Sequence, residues 1–279
     1  MHITTTKNQF KQTFNSVFEL SSYIDATAGK IPAGSSSITE KANMSVTETH
    51  RRAREGGRWP EGASRIEPIT IDLADFDIHS LDMPQPHAAM VGYRPSVPAY
   101  LAGSPMAMIR QEPVSQPNRL LRVAVHVGKQ FGTKQETTFD RGNAILSCLN
   151  ALSAAGMAIE LWAVWRNADH AGNSVHIDTC IKQAEDTYSP DSIAFALCND
   201  GFQRRLAWHC LEAANQTVDR KECRAPQNVI DAGYGNGTGA NFDDFDVSFG
   251  YCKNSERWHG PAGIEKAKAI FVKALGGAS

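Results

Sequence analysis

LLRVAVHVGKQFGTKQETTFDRGNAILSCLNALSAAGMAIELWAV, residues 120–164, is the stretch that decides the fold class of this chain. Its pattern predicts an apolar strand over 120–125, a polar loop, a helix over 141–155 and a second apolar strand over 157–164. A strand, a helix and a further strand in this order form a βαβ unit, which builds a parallel sheet covered by helices. The sequence therefore predicts an α/β protein.

The residues after this unit continue the α/β pattern. The predicted elements are a strand near 175–184, helices over 189–200 and 202–214, a short strand over 245–250 and a closing helix over 261–275. Ser189, Pro190 and Asp191 supply a cap, a first-turn proline and an early acid, which is typical of a helix start. We expect residues 118–279 to form a three-layer, Rossmann-like sandwich.

The residues before 118 predict a different kind of region. The aromatic spacing in FKQTFNSVFELSSYID, residues 10–25, indicates an amphipathic helix. Ser45 and Glu48 form a capping box that starts a second helix. Five prolines fall in 84–105, a tract that we expect to be extended chain packed on the main domain. Residues 1–117 are thus predicted to be a helical, proline-rich region that precedes an α/β domain over 118–279.

Composition and charge exclude several classes of protein. The 279 residues carry a formal net charge of -2, which argues against a dedicated nucleic-acid binder. The six cysteines form no CxxC pair and no zinc-finger spacing, and no apolar run reaches the ~18 residues that span a bilayer. The N-terminus lacks the apolar core of a signal peptide. We expect a cytoplasmic protein with no cofactor, no metal and no membrane partner.

Residues 118–279 resemble a von Willebrand A-like domain in the order of their elements. In that family the first strand ends in an Asp-x-Ser-x-Ser loop that helps to hold a divalent cation. The three corresponding positions here hold His126, Gly128 and Gln130. Lys129 adds a positive charge where a cation would sit, although Thr138, or its neighbour Thr137, could stand for a further threonine of the family. Because Mg²⁺ prefers anionic oxygen ligands, the resemblance implies a degenerate domain without tight divalent-metal binding.

A second resemblance extends over about half of the chain. THRRAREGGRWPEGA (residues 49–63), VPAYLAGSPMAM (residues 97–108) and the βαβ unit look like segments of proteins encoded by tailed bacteriophages. This resemblance implies a phage-encoded protein that acts in the cytoplasm of the host cell. The leading functional hypothesis is a non-enzymatic adaptor or assembly factor that binds another protein. Its expected contact surface is the top of the sheet, residues 126–138, where ligands of parallel sheets usually bind.

An arginine-rich helix carries the first alternative, nucleic-acid binding. The residues that would contact the backbone and bases are Arg51, Arg52, Arg54, Arg58 and Trp59. Arginine next to an aromatic ring suits phosphate contacts and base stacking. Glu48, Glu55 and Glu61 are interleaved with these residues, however, and favour an ordinary solvated helix face.

Two acidic segments carry the second alternative, a metal-dependent hydrolase. The candidate ligands are Asp169, His170, His176 and Asp178 in one segment and Asp243, Asp244 and Asp246 in the other. Imidazole and carboxylate groups could hold zinc or manganese only if the two segments converge in space. A solvated loop explains the first segment more simply, and turn and capping roles explain the acids of the second. No Ser or Cys has a readable base partner.

Overall fold

The structure of this chain, a computed structural model, describes residues 1–66, 71, 76, 86–90, 94–111, 120–130, 132–169, 171–216, 223–225 and 242–276. The strands are β1 (His2–Thr5), β2 (Gln9–Phe14), β3 (Pro86–Ala89), β4 (Arg94–Pro95), β5 (Met108–Gln111), β6 (Leu120–His126), β7 (Ala158–Ala168), β8 (Ser174–Lys182) and β9 (Val247–Phe249). The helices are α1 (Val17–Thr27), α2 (Ser36–Thr39), α3 (Val46–Arg54), α4 (Pro60–Ala63), α5 (Val97–Leu101), α6 (Gln135–Ala154), α7 (Pro190–Cys198), α8 (Trp208–Ala214) and α9 (Gly260–Gly276). A 3₁₀ turn (Ala28–Lys30) follows α1, and a π-helical stretch (Phe202–Ala207) leads into α8.

Six of these strands form one mixed sheet in the order β1-β2-β8-β7-β6-β9. β6 pairs in parallel with β7 on one side and with β9 on the other. α6 connects β6 to β7, so the predicted βαβ unit is confirmed. β8 runs antiparallel to β7 and parallel to β2, which makes the sheet mixed. The prediction of an α/β protein is therefore confirmed.

The N-terminal prediction of a helix over 10–25 is wrong in its first part. β2 occupies the start of that range, and α1 begins only at Val17, where the Ser16 side chain accepts a hydrogen bond from the Glu19 N–H. Phe10 and Phe14 are buried at alternate positions of the strand, and an i, i+4 spacing fits a strand face as well as a helix face. Because β2 pairs with β8, the sheet takes strands from both sides of the predicted domain boundary at residue 118. The boundary itself stays a prediction.

One face of the sheet carries the hydrophobic core. Val123 and Val125 of β6 lie in a cluster with residues of α6 and α9, and Phe14 of β2 lies in a cluster with residues of α1 and α8. On the opposite face, Trp162 and Val164 belong to a small cluster that includes no residue of a described helix. Helices thus pack on the sheet, and the predicted third layer stays a prediction.

The proline-rich tract differs from the extended chain that the sequence predicts. β3, β5 and β4 form a separate three-stranded sheet, and α5 lies between β4 and β5. Pro98 is compatible with α5 because it lies in the first turn, where the missing N–H has no helical partner. The glycine-rich stretch over 231–241 lies outside the described residues.

Candidate functional site

The carboxyl ends of β6 and β9 meet at one edge of the sheet, which is where ligands bind in parallel α/β proteins. The loop after β6 is tied to the segment after β9 by backbone hydrogen bonds. The Gln130 N–H donates to the Cys252 carbonyl at 2.9 Å, and the Cys252 N–H donates to the Gly128 carbonyl at 3.2 Å. The Gln130 side-chain oxygen accepts from the Asn254 N–H at 3.0 Å. These bonds fix the loop against its neighbour.

His126 is a buried, neutral residue that joins two strands at this edge. Its Nδ1 accepts from the Gly128 N–H at 2.9 Å, so its Nε2 carries the proton and donates to the Arg166 carbonyl at 2.8 Å. The pKa of His126 is lowered to about 4, first because burial penalises the charged ring and also because Arg141 and Arg166 are positive. A Cβ at Gly128 would lie 2.5 Å from the imidazole Cε1, so this position requires glycine.

Lys129 forms a buried ion pair in the loop after β6. Its ammonium Nζ lies 3.0 Å from Asp200 Oδ2 and 3.4 Å from Gln135 Oε1. Asp200 Oδ1 also accepts from the Asn43 N–H at 3.0 Å, and both charged side chains are buried. The Lys129 ammonium and the Asp200 carboxylate therefore neutralise each other at this edge of the sheet.

The predicted contact residues at the top of the sheet come together below the protein surface. His126, Gly128, Lys129 and Thr138 are buried, and Gln130 is half-buried. Thr138 lies in the first turn of α6, and its hydroxyl has no hydrogen-bond partner within the described residues. Direct contact of these residues with a partner stays a prediction. Because the residues are buried, such contact would require a rearrangement of the loop.

A buried arginine that the sequence interpretation missed lies beside this loop. Arg141 donates to the His126 carbonyl at 3.0 Å and to the carbonyls of Phe249 and Gly250. The predicted helix began at this residue, whereas α6 begins at Gln135 and places Arg141 within the helix. A cavity of about 280 Å³ borders the Arg141 side chain. One feature of the sequence could have indicated the burial of Arg141, namely that its charge lies on an otherwise largely apolar face of α6.

The two acidic segments of the hydrolase hypothesis do converge, but they meet around an arginine. Asp178 and Asp244 both accept from Arg166 Nη2, at 2.6 and 3.0 Å. Lys11 Nζ lies 3.6 Å from Asp178 and 3.4 Å from Asp244. Among the described residues, which omit His170, no group of three His, Cys, Asp or Glu side chains could hold a metal. The guanidinium occupies the space between the carboxylates, and the hydrolase hypothesis stays a prediction.

The Asp244 carboxylate is held ionised by these neighbours. Burial alone would raise its pKa, but hydrogen bonds and charge from Arg166, together with the charge of Lys11, lower the pKa to about 2. The Arg166 guanidinium also lies 5.1 Å from the centre of the Phe245 ring. These contacts hold residues 242–246 against the face of the sheet opposite the helices, which we call the polar face.

The arginine-rich helix, α3, is largely neutralised by acidic partners. The pairs are Arg51 with Glu48 and Glu55, Arg52 with Glu48 and Glu61, and Arg54 with Asp25. Hydrogen bonding to Arg51 is the main cause that lowers the pKa of Glu48 to about 2. Arg58 is exposed. Trp59 is half-buried and packs against both hydrophobic clusters on the face of the sheet that carries the helices. Within the described ranges, Arg58 is the one of these four arginines that forms no ion pair. Nucleic-acid binding through these residues stays a prediction.

The small sheet β3-β5-β4 and its helix α5 carry an exposed apolar surface that we name the apolar arm (residues 86–90 and 94–111). Half of the exposed large hydrophobic side chains of the described residues lie on it: Met90 (73% exposed), Val97 (62%), Tyr100 (71%), Leu101 (79%) and Met106 (46%). Residues 95–109, PSVPAYLAGSPMAMI, contain no charged residue. Arg94 and Arg110 flank this run. The arm is the part of the described chain where apolar exposure is most concentrated.

Comparison with known proteins gives one match. A family model described as a domain of unknown function (DUF7192) matches residues 2–274, nearly the whole chain. No curated protein and no solved structure matches the chain. In the part of the chain that the structure describes, no helix has the length and apolarity needed to cross a membrane.

Proposed function

The chain belongs to the DUF7192 family, and we propose that it acts as a non-enzymatic protein-binding module, an adaptor or assembly factor, that docks through the apolar arm. The exposure of Val97, Tyr100 and Leu101 within an uncharged run is the observation that carries this proposal. Large exposed apolar patches mark interaction sites, and the centres of protein interfaces are depleted of charge and enriched in aromatic residues and methionine.

The backbone of the arm supports docking at low entropic cost. α5 begins after Ser96 and ends before Gly103, whose φ of 70° is the left-handed conformation that glycine adopts without strain. The Ser104 N–H donates to the Ala99 carbonyl at 2.9 Å and closes the turn. Tyr100 and Leu101 are thus presented on a helical turn with a defined end. A pre-organised surface loses less conformational freedom when it binds.

The expected partner is a protein with an apolar groove and an acidic rim. Tyr100 would supply the buried centre of such an interface, because tyrosine is enriched at binding hot spots, and Leu101 would add apolar contact area beside it. Arg94 and Arg110 flank the uncharged run in sequence, and their positive charges would complement carboxylates of the partner. The pairing of Arg94 with Ile109 in the β4–β5 register brings the two ends of the run together.

We also propose that residues 118–279 form a degenerate von Willebrand A-like domain in which the Lys129 ammonium replaces the divalent cation. The 3.0 Å contact between Lys129 Nζ and Asp200 Oδ2 supports this proposal, because it places a positive charge at the end of β6. The same proposal includes an origin in a tailed bacteriophage, which the sequence resemblance implies. The expected partners are then proteins of an infected cell.

Affinity capture with two matched double variants tests the docking function. The arm variant is Tyr100→Ser with Leu101→Ser, and the control variant is Ile3→Ser with Leu120→Ser, which removes two exposed apolar side chains outside the arm. Tagged proteins are incubated with extract of cells that express the chain, once without nuclease and once with nuclease, and bound proteins are identified by mass spectrometry. Circular dichroism confirms that each variant is folded.

We expect the same partner protein to be retained by the wild-type chain and the control variant and lost by the arm variant. Equal retention by all three proteins would overturn docking through the arm. Retention only of nucleic acid, abolished by nuclease, would overturn the protein-binding proposal itself. Light scattering of the purified chain tells whether a second copy of the chain is the partner.

A further inference from the structure

A cavity of about 280 Å³ lies at the carboxyl ends of β6 and β9, between the segment after β9 and α9. Its volume is close to the lower limit for small-molecule sites, about 300 Å³. Its position at the edge of a parallel strand pair is the usual ligand position in α/β sheets.

Arg141 gives this cavity a positive charge that forms no ion pair within the described part of the chain. Its guanidinium donates only to the backbone carbonyls of His126, Phe249 and Gly250. Its Nε–H is buried and has no hydrogen-bond partner there. Burial lowers the pKa of Arg141, yet arginine remains charged at pH 7. Glu256 attracts the Arg141 charge without a hydrogen bond to it, and the guanidinium lies 5.7 Å from the centre of the Trp258 ring. A buried charge without a carboxylate in hydrogen-bond contact is costly, and an anion in the cavity would reduce that cost.

The other walls of the cavity add positive charge and flat apolar surfaces. Among the described residues that line it, Lys253 and Lys266 are accompanied by one acid, Glu256, which pairs with Lys266 at 3.2 Å. Lys253 is exposed and makes no ion pair among the described residues. The Lys266 ammonium lies 4.2 Å from the centre of the Trp258 ring, and Tyr251 forms another wall. Three cationic side chains and one carboxylate leave the lining positive.

From this lining we propose that the cavity binds a small organic oxyanion, a carboxylate or phosphate attached to a planar ring. The oxyanion would lie near Arg141 and accept hydrogen bonds from the two lysine ammonium groups. The ring would pack against Trp258 and Tyr251, in keeping with the apolar walls of small-molecule sites. This site is separate from the apolar arm and adds a ligand to a protein-binding chain.

Calorimetric titration of the full chain tests the site. The probes are phenyl phosphate, benzoate, inorganic phosphate and uncharged phenol, all at constant ionic strength. The cavity variant is Lys253→Gln with Lys266→Gln. The control variant, Lys134→Gln with Lys273→Gln, removes the same charge at two exposed lysines outside the cavity. These substitutions leave the buried Arg141 intact, so a loss of binding is separable from a loss of folding.

We expect saturable binding of phenyl phosphate or benzoate, with the stronger of the two identifying the oxyanion. The cavity variant is expected to bind about a hundredfold more weakly, since it loses two hydrogen bonds to a charged group and each contributes about tenfold. The control variant should match the wild-type chain, and phenol should not bind measurably. Equal affinities in the two variants, or no saturable binding of either aromatic anion, would overturn the site. Inorganic phosphate binding as tightly as phenyl phosphate would overturn the assignment of the ring.

Discussion

Replacement of Lys129 by methionine should strongly destabilise the chain, because it leaves the Asp200 carboxylate buried without its cation. The ion pair has a 3.0 Å contact, and both side chains are less than a tenth exposed. Loss of one partner of a buried ion pair costs about 3–5 kcal/mol. Asp200 keeps the Asn43 N–H at 3.0 Å and Arg204 Nε at 3.7 Å, so we expect the lower limit, about 3 kcal/mol. At ~2 °C for each kcal/mol, Tm should fall by roughly 6 °C.

Urea and thermal unfolding followed by circular dichroism measure this change against a matched control, Lys134→Met. Lys134 is an exposed lysine of the same loop, and its replacement should change the free energy of unfolding by less than about 0.5 kcal/mol. Adding Asp200→Asn to Lys129→Met removes the unpaired charge and should recover about 2 kcal/mol. If Lys129→Met and Lys134→Met unfold alike, the Lys129–Asp200 pair does not stabilise the edge of the sheet and the reasoning fails.

Three further predictions concern histidine, the polar face of the sheet and nucleic acid. Burial is the first cause that lowers the pKa values of His126, His176 and His209 to about 4, against about 6.5 in the unfolded chain. The unfolded chain then binds more protons, so the free energy of unfolding should fall as the pH drops from about 6.5 to 4. Urea titrations that give the same free energy of unfolding across this pH range would contradict the prediction. Arg166→Met should destabilise more than Asp244→Asn in the same unfolding assay, because Asp178 is buried whereas Asp244 is 42% exposed, and the reverse order would contradict the network. Binding to duplex DNA in a filter assay should be weak and nearly unchanged by Arg54→Gln, since Arg54 is paired with Asp25; a large loss would favour the nucleic-acid hypothesis.

Local pattern and long-range contact explain which features could be predicted from the sequence. The β6–α6–β7 unit is encoded by neighbouring residues, and its prediction is confirmed. α6 begins six residues before the predicted start, because QETTFD has no apolar periodicity to mark its first turns. Phe10 and Phe14 fit a helix and a strand equally well, and only the pairing of β2 with β8 selects the strand.

The candidate sites depended on contacts that a single sequence does not encode locally. Lys129 and Asp200 are 71 positions apart, and Arg166 joins two acidic segments across the sheet. The burial of Arg141 could not be predicted, because a charged residue near a predicted helix start usually lies at a solvated helix end. The apolar arm was visible as an uncharged, proline-rich run, but its exposure follows from a separate small sheet that the sequence interpretation did not include.

Hydroxyl-radical footprinting of the captured complex tests the proposed docking function most directly. Met90, Tyr100 and Met106 are oxidisable side chains on the exposed arm, and Met1 is an exposed methionine outside it. The docking proposal predicts that oxidation of the three arm residues falls severalfold in the complex while oxidation of Met1 is unchanged. Equal oxidation of the arm residues in the free and bound chain, with protection elsewhere, would contradict it.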